Sequence, residues 1–200
     1  WVYRTDEPDL LRSVQHGARL FSSPDLHDHP DLARYAIVRP EQLDRSQPRH
    51  ADGWVRELSA EQVDRYAILI DTIVACARDN GRSTRDLLCE VLSTCPNPLT
   101  RVMERHGLGR FRVTQKANLD DPSDGYRSDN ARPEDWIMVG THDTRSLWEL
   151  IGTWSDDERT RQARFVSNVL HLDPAQLSDP RQLAHAKFAE LFSCAAENVM

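Results

Sequence analysis

The sequence predicts an α/β fold with a parallel sheet, and the prediction comes from three short apolar segments. These segments, at 87–92, 111–115 and 136–140, have the length and composition of buried strands. Their starts are evenly spaced, 24 residues apart (111 − 87) and then 25 residues apart (136 − 111). A (β/α)₈ barrel of about 250 residues uses roughly 30 residues for each strand and its helix, so the spacing fits consecutive barrel strands. A doubly wound sheet has a similar spacing, although no Gly-rich phosphate loop follows any of the three segments.

The N-terminal part of the chain precedes these segments. Residues 1–57 are rich in proline, aspartate and arginine, and we predict mostly loop and short helices there. The first regular element is a helix over about 60–79, because its apolar residues recur every three to four positions. Ser59 and Gln62 are predicted to form a capping box at its start. The Asn-Gly pair that follows is predicted to end it.

Further helices are predicted between and after the strands. They cover, in order, about 98–106, 145–153, 156–171 and 181–197. Three of them follow residues that are typical of helix N-caps, namely Asn97, Ser155 and Asp179. Gly107 is predicted to end the first of these helices. A long polar loop over 117–135 separates the second strand from the third.

Composition and charge limit the classes of partner. Apolar residues make up 39% of the chain and charged residues 28%, so a packed core is possible. The net charge of −7 counts against nucleic acid or an anionic membrane as the main partner, because both favour clustered cations. No apolar run approaches the roughly 18 residues of a membrane span, and the four cysteines lack a zinc-binding spacing. We therefore expect a cytoplasmic protein with free thiols, and neutral or polyhydroxylated ligands remain candidates.

Glu90 is the first candidate for chemistry, because it lies inside a predicted strand with apolar residues on both sides. Burial of a carboxylate is unfavourable unless the group is paired or protonated. A salt bridge to an arginine would make Glu90 a structural residue. Alternatively, burial would keep Glu90 protonated, as a general acid requires.

The second candidate is the pair His142-Asp143, which follows the third predicted strand and Gly140. Asp143 could cap the helix that begins near 145, with His142 as its neighbour in the loop. A metal site of the HD type is a second interpretation, but such a pair lies within a helix and needs further ligands at helical spacing. In a third interpretation, the pair offers a carboxylate and a donor to sugar hydroxyls. Asp143 lies 53 residues beyond Glu90 (143 − 90), about two strand–helix units, so a barrel would bring both to one mouth.

The order of motifs around these residues carries a family resemblance. LLCEVLSTCPNPLTRVMERHGLGRFRVTQ, followed by WIMVGTHDT, contains both candidates. A glutamate in a short strand motif usually ending EDLG, then R-GL-G---VLQ, then GTHDN or GNHDT, is the order found in the 4-α-glucanotransferases, the amylomaltase and disproportionating-enzyme family. The chain resembles the second half of that family over roughly 87–154. It departs from the family in having CEVLST in place of EDLG.

The resemblance implies transfer of α-1,4-glucan segments between maltodextrins by a retaining double displacement, with glucose or maltose as acceptor. It also implies that no metal or cofactor takes part. Glu90 would be the general acid/base, and Asp143 would be the carboxylate that stabilises the transition state. His142 would donate to hydroxyls of the bound glucosyl unit.

The resemblance further implies a partial (β/α)₈ TIM barrel, roughly strands five to seven with flanking helices, truncated at both ends. In this interpretation, 1–57 is a loop-rich insertion and 58–200 contains the barrel strands and helices. The family's nucleophile is an aspartate in an R-I-D-H motif, to which Arg4-Thr5-Asp6-Glu7 is only superficially similar. We therefore expect the isolated chain to be inactive. An HD-type metal-dependent phosphohydrolase and a non-catalytic sugar-binding fragment are the alternatives.

Overall fold

The computed structural model describes three stretches of the chain, residues 37–48, 51–92 and 94–200. The predictions for 1–36, including the comparison of Arg4-Thr5-Asp6-Glu7 with a nucleophile motif, lie outside the described residues. In the part of the chain that is described, no helix combines the length and apolar character needed to cross a membrane.

The chain divides into two compact units, each assembled from two stretches of sequence. The first unit comprises Trp1–Arg82 and Cys95–His106, and the second comprises Ser83–Thr94 and Gly107–Met200. All three candidate residues, Glu90, His142 and Asp143, therefore belong to the second unit.

The described part of the first unit contains two α-helices, α1 (Ala60–Asp79) and α2 (Asn97–His106). The predicted capping box of α1 is confirmed, because the Ser59 hydroxyl accepts the N–H of Gln62 and the Gln62 side chain accepts the N–H of Ser59. A contact of 2.6 Å between His106 Nε2 and Asp71 Oδ1 joins the two helices. Among the described residues of this unit, Val38, Leu43, Trp54 and Val55 form one buried cluster.

The second unit contains a parallel sheet of three short strands. They are β1 (Phe111–Val113), β2 (Trp136–Met138) and β3 (Asn198–Val199), in the order β1-β2-β3. The second and third predicted strands are thus confirmed as parallel neighbours, with Phe111 opposite Trp136. β3 was not predicted, and the helix expected over 181–197 is wrong at its end because it stops at Leu191.

The first predicted strand is wrong. Residues 87–92 pair with no strand among the described residues. Their side chains alternate at first between half-buried and exposed, and Leu88 is 48% exposed. The apolar pattern describes what the side chains favour, whereas a strand also needs a neighbour for its backbone N–H and C=O groups.

Three helices supply the core that packs against the sheet. They are α3 (Leu147–Thr153), α4 (Asp156–Leu170) and α5 (Pro180–Leu191). The predicted caps of α4 and α5 are confirmed, since Ser155 accepts from the N–H of Glu158 and Asp179 from that of Arg181. Residues from β2 and all three helices form one buried cluster, including Ile137, Leu147, Ile151, Val166 and Leu183.

A buried ion pair joins Arg112 of β1 to Asp135, the residue just before β2. Asp135 Oδ2 accepts from Arg112 Nε at 2.5 Å and from the N–H of Arg132 at 2.9 Å, and Oδ1 accepts from the N–H of Arg110 at 3.0 Å. Three donors compensate for the burial of this carboxylate. The pair therefore supports the register that brings the C-terminal ends of β1 and β2 to the same edge of the sheet.

Candidate functional site

The C-terminal ends of β1 and β2 form the edge of the sheet where the candidate site lies. Beyond β1, the main-chain N–H of Gln115 donates to the carbonyl of Val139 at 3.0 Å, so the parallel pairing continues past both strands. The chain then enters residues 140–144, which we call the site loop. This loop carries His142 and Asp143.

The site loop is closed by its own threonines. The Thr144 hydroxyl accepts from the N–H of Thr141 at 2.9 Å and donates to the carbonyl of Thr141 at 2.8 Å. At the end of the loop, the side-chain amide of Gln115 donates to the carbonyl of Arg145 at 3.0 Å. These hydrogen bonds give the loop a defined path over the strand ends.

His142 and Asp143 are brought together at the surface of this loop. His142 Nε2 lies 2.7 Å from Asp143 Oδ1, and the two side chains are 86% and 64% exposed. An exposed carboxylate with an exposed imidazole beside it can offer both an acceptor and a donor to a polyhydroxylated ligand.

The interpretation of Asp143 as a helix cap is wrong. The N-cap of α3 is Ser146, whose hydroxyl accepts from the N–H of Glu149. The Ser146 hydroxyl also donates to the Glu149 carboxylate, and this hydrogen bond lowers the pKa of Glu149. The Asp143 carboxylate is therefore left for a role other than capping.

The pair also differs from an HD-type metal site in its local structure. His142 and Asp143 lie in a turn before α3, whereas the two residues of an HD-type pair lie within a helix. Over the described part of the chain, no three His, Cys, Asp or Glu side chains are grouped so that they could hold a metal ion.

Glu90 is exposed, so the prediction that it is buried is wrong. Among the described residues Glu90 makes no hydrogen bond and no ion pair, so the structural interpretation finds no arginine partner there. No hydrogen bond or ion pair there joins Glu90 to His142 or Asp143. The extended segment that carries Glu90 is held at its end by the Arg110 guanidinium, which donates to the carbonyl of Leu92.

No protein-family model matches this chain, and a search of curated proteins finds no match.

Two residues that shape the site, Gln115 and Thr144, were not recognised from the sequence. Both were visible as polar residues next to the ends of predicted strands, in FRVTQ and in GTHDT. Their partners, Arg145 and Thr141, are joined to them by side-chain hydrogen bonds that a linear pattern does not specify.

Gly140→Ala is expected to destabilise the protein by about 1–3 kcal/mol, the usual cost of overpacking. A Cβ at Gly140 would lie 2.3 Å from Thr144 Oγ1 and 3.0 Å from Gln115 Oε1. Thr144 cannot withdraw without losing both hydrogen bonds to Thr141. Urea denaturation followed by tryptophan fluorescence measures the change.

Gly152→Ala is the matched control. Gly152 lies in α3, and a Cβ added there meets no atom within 4 Å. This substitution is expected to stabilise the protein by roughly 0.5–1 kcal/mol, because alanine loses less conformational entropy than glycine in a helix. Equal stability of Gly140→Ala and the wild type would show that the side chains of Thr144 and Gln115 do not approach Gly140 as described.

Proposed function

We propose that this chain is part of the catalytic barrel of a 4-α-glucanotransferase that acts on α-1,4-glucans. The observation that supports the proposal is the parallel pairing of β1 with β2, which delivers His142 and Asp143, exposed and in contact, to the C-terminal edge of the sheet. In barrel enzymes, the catalytic groups lie at that edge.

The chemistry proposed for Asp143 is electrostatic. Cleavage of a glycosidic bond passes through an oxocarbenium-like transition state, in which positive charge develops on the sugar ring. The Asp143 carboxylate would stabilise that charge, and His142 would donate to a hydroxyl of the same glucosyl unit. The exposure of both side chains leaves them accessible to a sugar.

The role proposed for Glu90 is that of the general acid/base. Glu90 would first protonate the leaving glycosidic oxygen and then remove a proton from the hydroxyl of the acceptor sugar. Glu90 is exposed on an extended segment and accessible to a ligand, so this role is supported by the motif resemblance and not by the burial that was expected. The nucleophilic aspartate of the retaining mechanism is proposed to come from outside these 200 residues.

The experiment that tests this function is a disproportionation assay with maltotriose, analysed by chromatography of the products. The full-length protein that contains these residues is expected to form glucose and longer maltodextrins. The 200-residue chain alone is expected to form neither above background, because it lacks the proposed nucleophile. Cellotriose, the β-1,4-linked counterpart, is the control donor and should remain unchanged.

Two outcomes would contradict the proposal. Absence of transfer by the full-length protein would remove the glucanotransferase function and favour a non-catalytic sugar-binding role, particularly if maltotriose still binds and Glu90→Gln does not weaken its binding. Clear transfer by the 200-residue chain would mean that an aspartate within it, such as Asp6, is the nucleophile.

A further inference from the structure

The site loop is anchored on both sides by a single residue, Gln115. Its main-chain N–H donates to the carbonyl of Val139, just before the loop, at 3.0 Å. Its side-chain Nε2 donates to the carbonyl of Arg145, just after the loop, also at 3.0 Å. The base of the loop is therefore held to the chain that continues from β1.

The side chain of Gln115 occupies the space that Gly140 leaves open. An added Cβ at Gly140 would lie 3.0 Å from Gln115 Oε1 and 3.1 Å from Gln115 Cδ. The hydrogen bonds between Thr141 and Thr144 close the loop on itself but do not attach it to β1. The amide of Gln115, by contrast, attaches the end of the loop to the chain just beyond β1.

His142 and Asp143 depend on such an anchor for their position. Both side chains are largely exposed and contact each other, so the path of the main chain decides where they point. A displacement of about 1 Å in a catalytic group can lower a rate by about 10²-fold. We infer that Gln115 is a positioning residue, whose side-chain amide holds the site loop so that Asp143 faces the reacting sugar.

The anchoring itself is tested by NMR relaxation on the 200-residue chain. Gln115→Leu and Gln115→Glu both remove the N–H donor, and Gln115→Glu nearly retains the shape. Backbone order parameters at 141–144 are expected to fall from about 0.85, typical of a rigid backbone, to below about 0.6. Gln176→Leu, at an exposed glutamine, is the matched control and should leave them unchanged.

Unchanged order parameters in Gln115→Glu would overturn the inference. If Gln115→Leu fails to fold, Gln115→Glu alone tests whether the side chain anchors the loop. Amide signals of α4 and α5 at their wild-type positions would show that this variant is folded. The main-chain bond from Gln115 to Val139 remains available in both variants, so the comparison isolates the side-chain bond to Arg145.

The consequence for catalysis rests on the proposed function and is measured in the full-length protein. Gln115→Leu is expected to lower kcat for maltotriose by about 10–100-fold, with KM changed by less than about threefold, because the loss concerns the transition state. A wild-type kcat in this variant would overturn the positioning role. If the wild-type protein transfers no glucan, the proposed function fails, and the order parameters still decide whether Gln115 anchors the loop.

Discussion

Glu90→Gln, in the full-length protein that contains these residues, is expected to lower the rate of maltotriose disproportionation by about 10²–10⁴-fold. The substitution keeps the shape of the side chain and removes its ability to transfer a proton. The loss should depend on the leaving group, because a donor with an acidic aglycone needs little protonation to depart. An activated aryl glycoside should therefore still form the covalent intermediate in this variant, and added azide should partly restore turnover.

Asp143→Asn is expected to lower the rate by about 10²–10³-fold in a different manner. Its charge would stabilise the oxocarbenium-like transition state of every donor, so the loss should be nearly independent of the aglycone. Azide should not restore turnover, because no proton transfer has been removed. Comparison of kcat for maltotriose and for an activated aryl glycoside separates this behaviour from that of Glu90→Gln.

Controls for these two variants come from exposed carboxylates elsewhere in the chain. Glu104→Gln in α2 and Asp157→Asn in α4 remove the same functional groups from exposed positions and should leave both rates unchanged. If Glu90→Gln and Asp143→Asn also retain wild-type rates, neither residue takes part in the reaction.

Lys187→Met is expected to destabilise the protein by about 3–5 kcal/mol. Lys187 and Glu190 lie on α5, both are 0% exposed, and Lys187 Nζ lies 2.7 Å from Glu190 Oε2. This contact is not aligned as a hydrogen bond, and neither atom has another hydrogen-bond partner among the described residues. Removal of Lys187 would therefore leave the Glu190 charge buried without its cation, which urea denaturation should show as reduced stability.

The double variant Lys187→Met/Glu190→Gln should recover most of that loss, because it removes the second charge as well. The glutamine keeps an acceptor for the Ser128 hydroxyl, which donates to Glu190 Oε1 at 2.6 Å. Arg161→Met is the control, since Arg161 forms an i,i+3 pair with Glu158 but is 45% exposed. The control is expected to cost less than about 1 kcal/mol. A similarly small loss of stability in Lys187→Met would contradict the description of Lys187 and Glu190 as a buried charge pair.

The starts of α1, α4 and α5 were predicted well because the interactions that define them are local. Ser59 with Gln62, Ser155 and Asp179 all satisfy N–H groups within three residues of themselves. The left-handed conformation of Gly107, with φ of 62°, likewise follows the end of α2. Each of these features can be read from a window of a few residues.

The strands show where local prediction stops. The starts of β1 and β2 were predicted correctly, although both strands end two residues earlier than expected, whereas 87–92 has a similar apolar composition and forms no strand. β3 was missed because two residues carry almost no pattern, and its pairing with β2 comes from about 60 residues away (198 − 136 = 62). A strand exists only where a distant segment supplies its hydrogen-bond partners.

The sequence by itself determined the capped helices, the parallel pair β1–β2 and the placement of His142-Asp143 directly after a strand. Only the tertiary structure decided that Glu90 is exposed, that Ser146 and not Asp143 caps α3, and that Gln115 anchors the site loop. The cap of α3 is a local feature, but the sequence offers more than one residue that could fill it. The exposure of Glu90 and the anchoring by Gln115 depend on which distant residues pack beside these side chains. The burial of Lys187 with Glu190 depends on tertiary packing in the same way. Local patterns describe what a residue favours, and the contacts between distant segments decide which of those preferences is met.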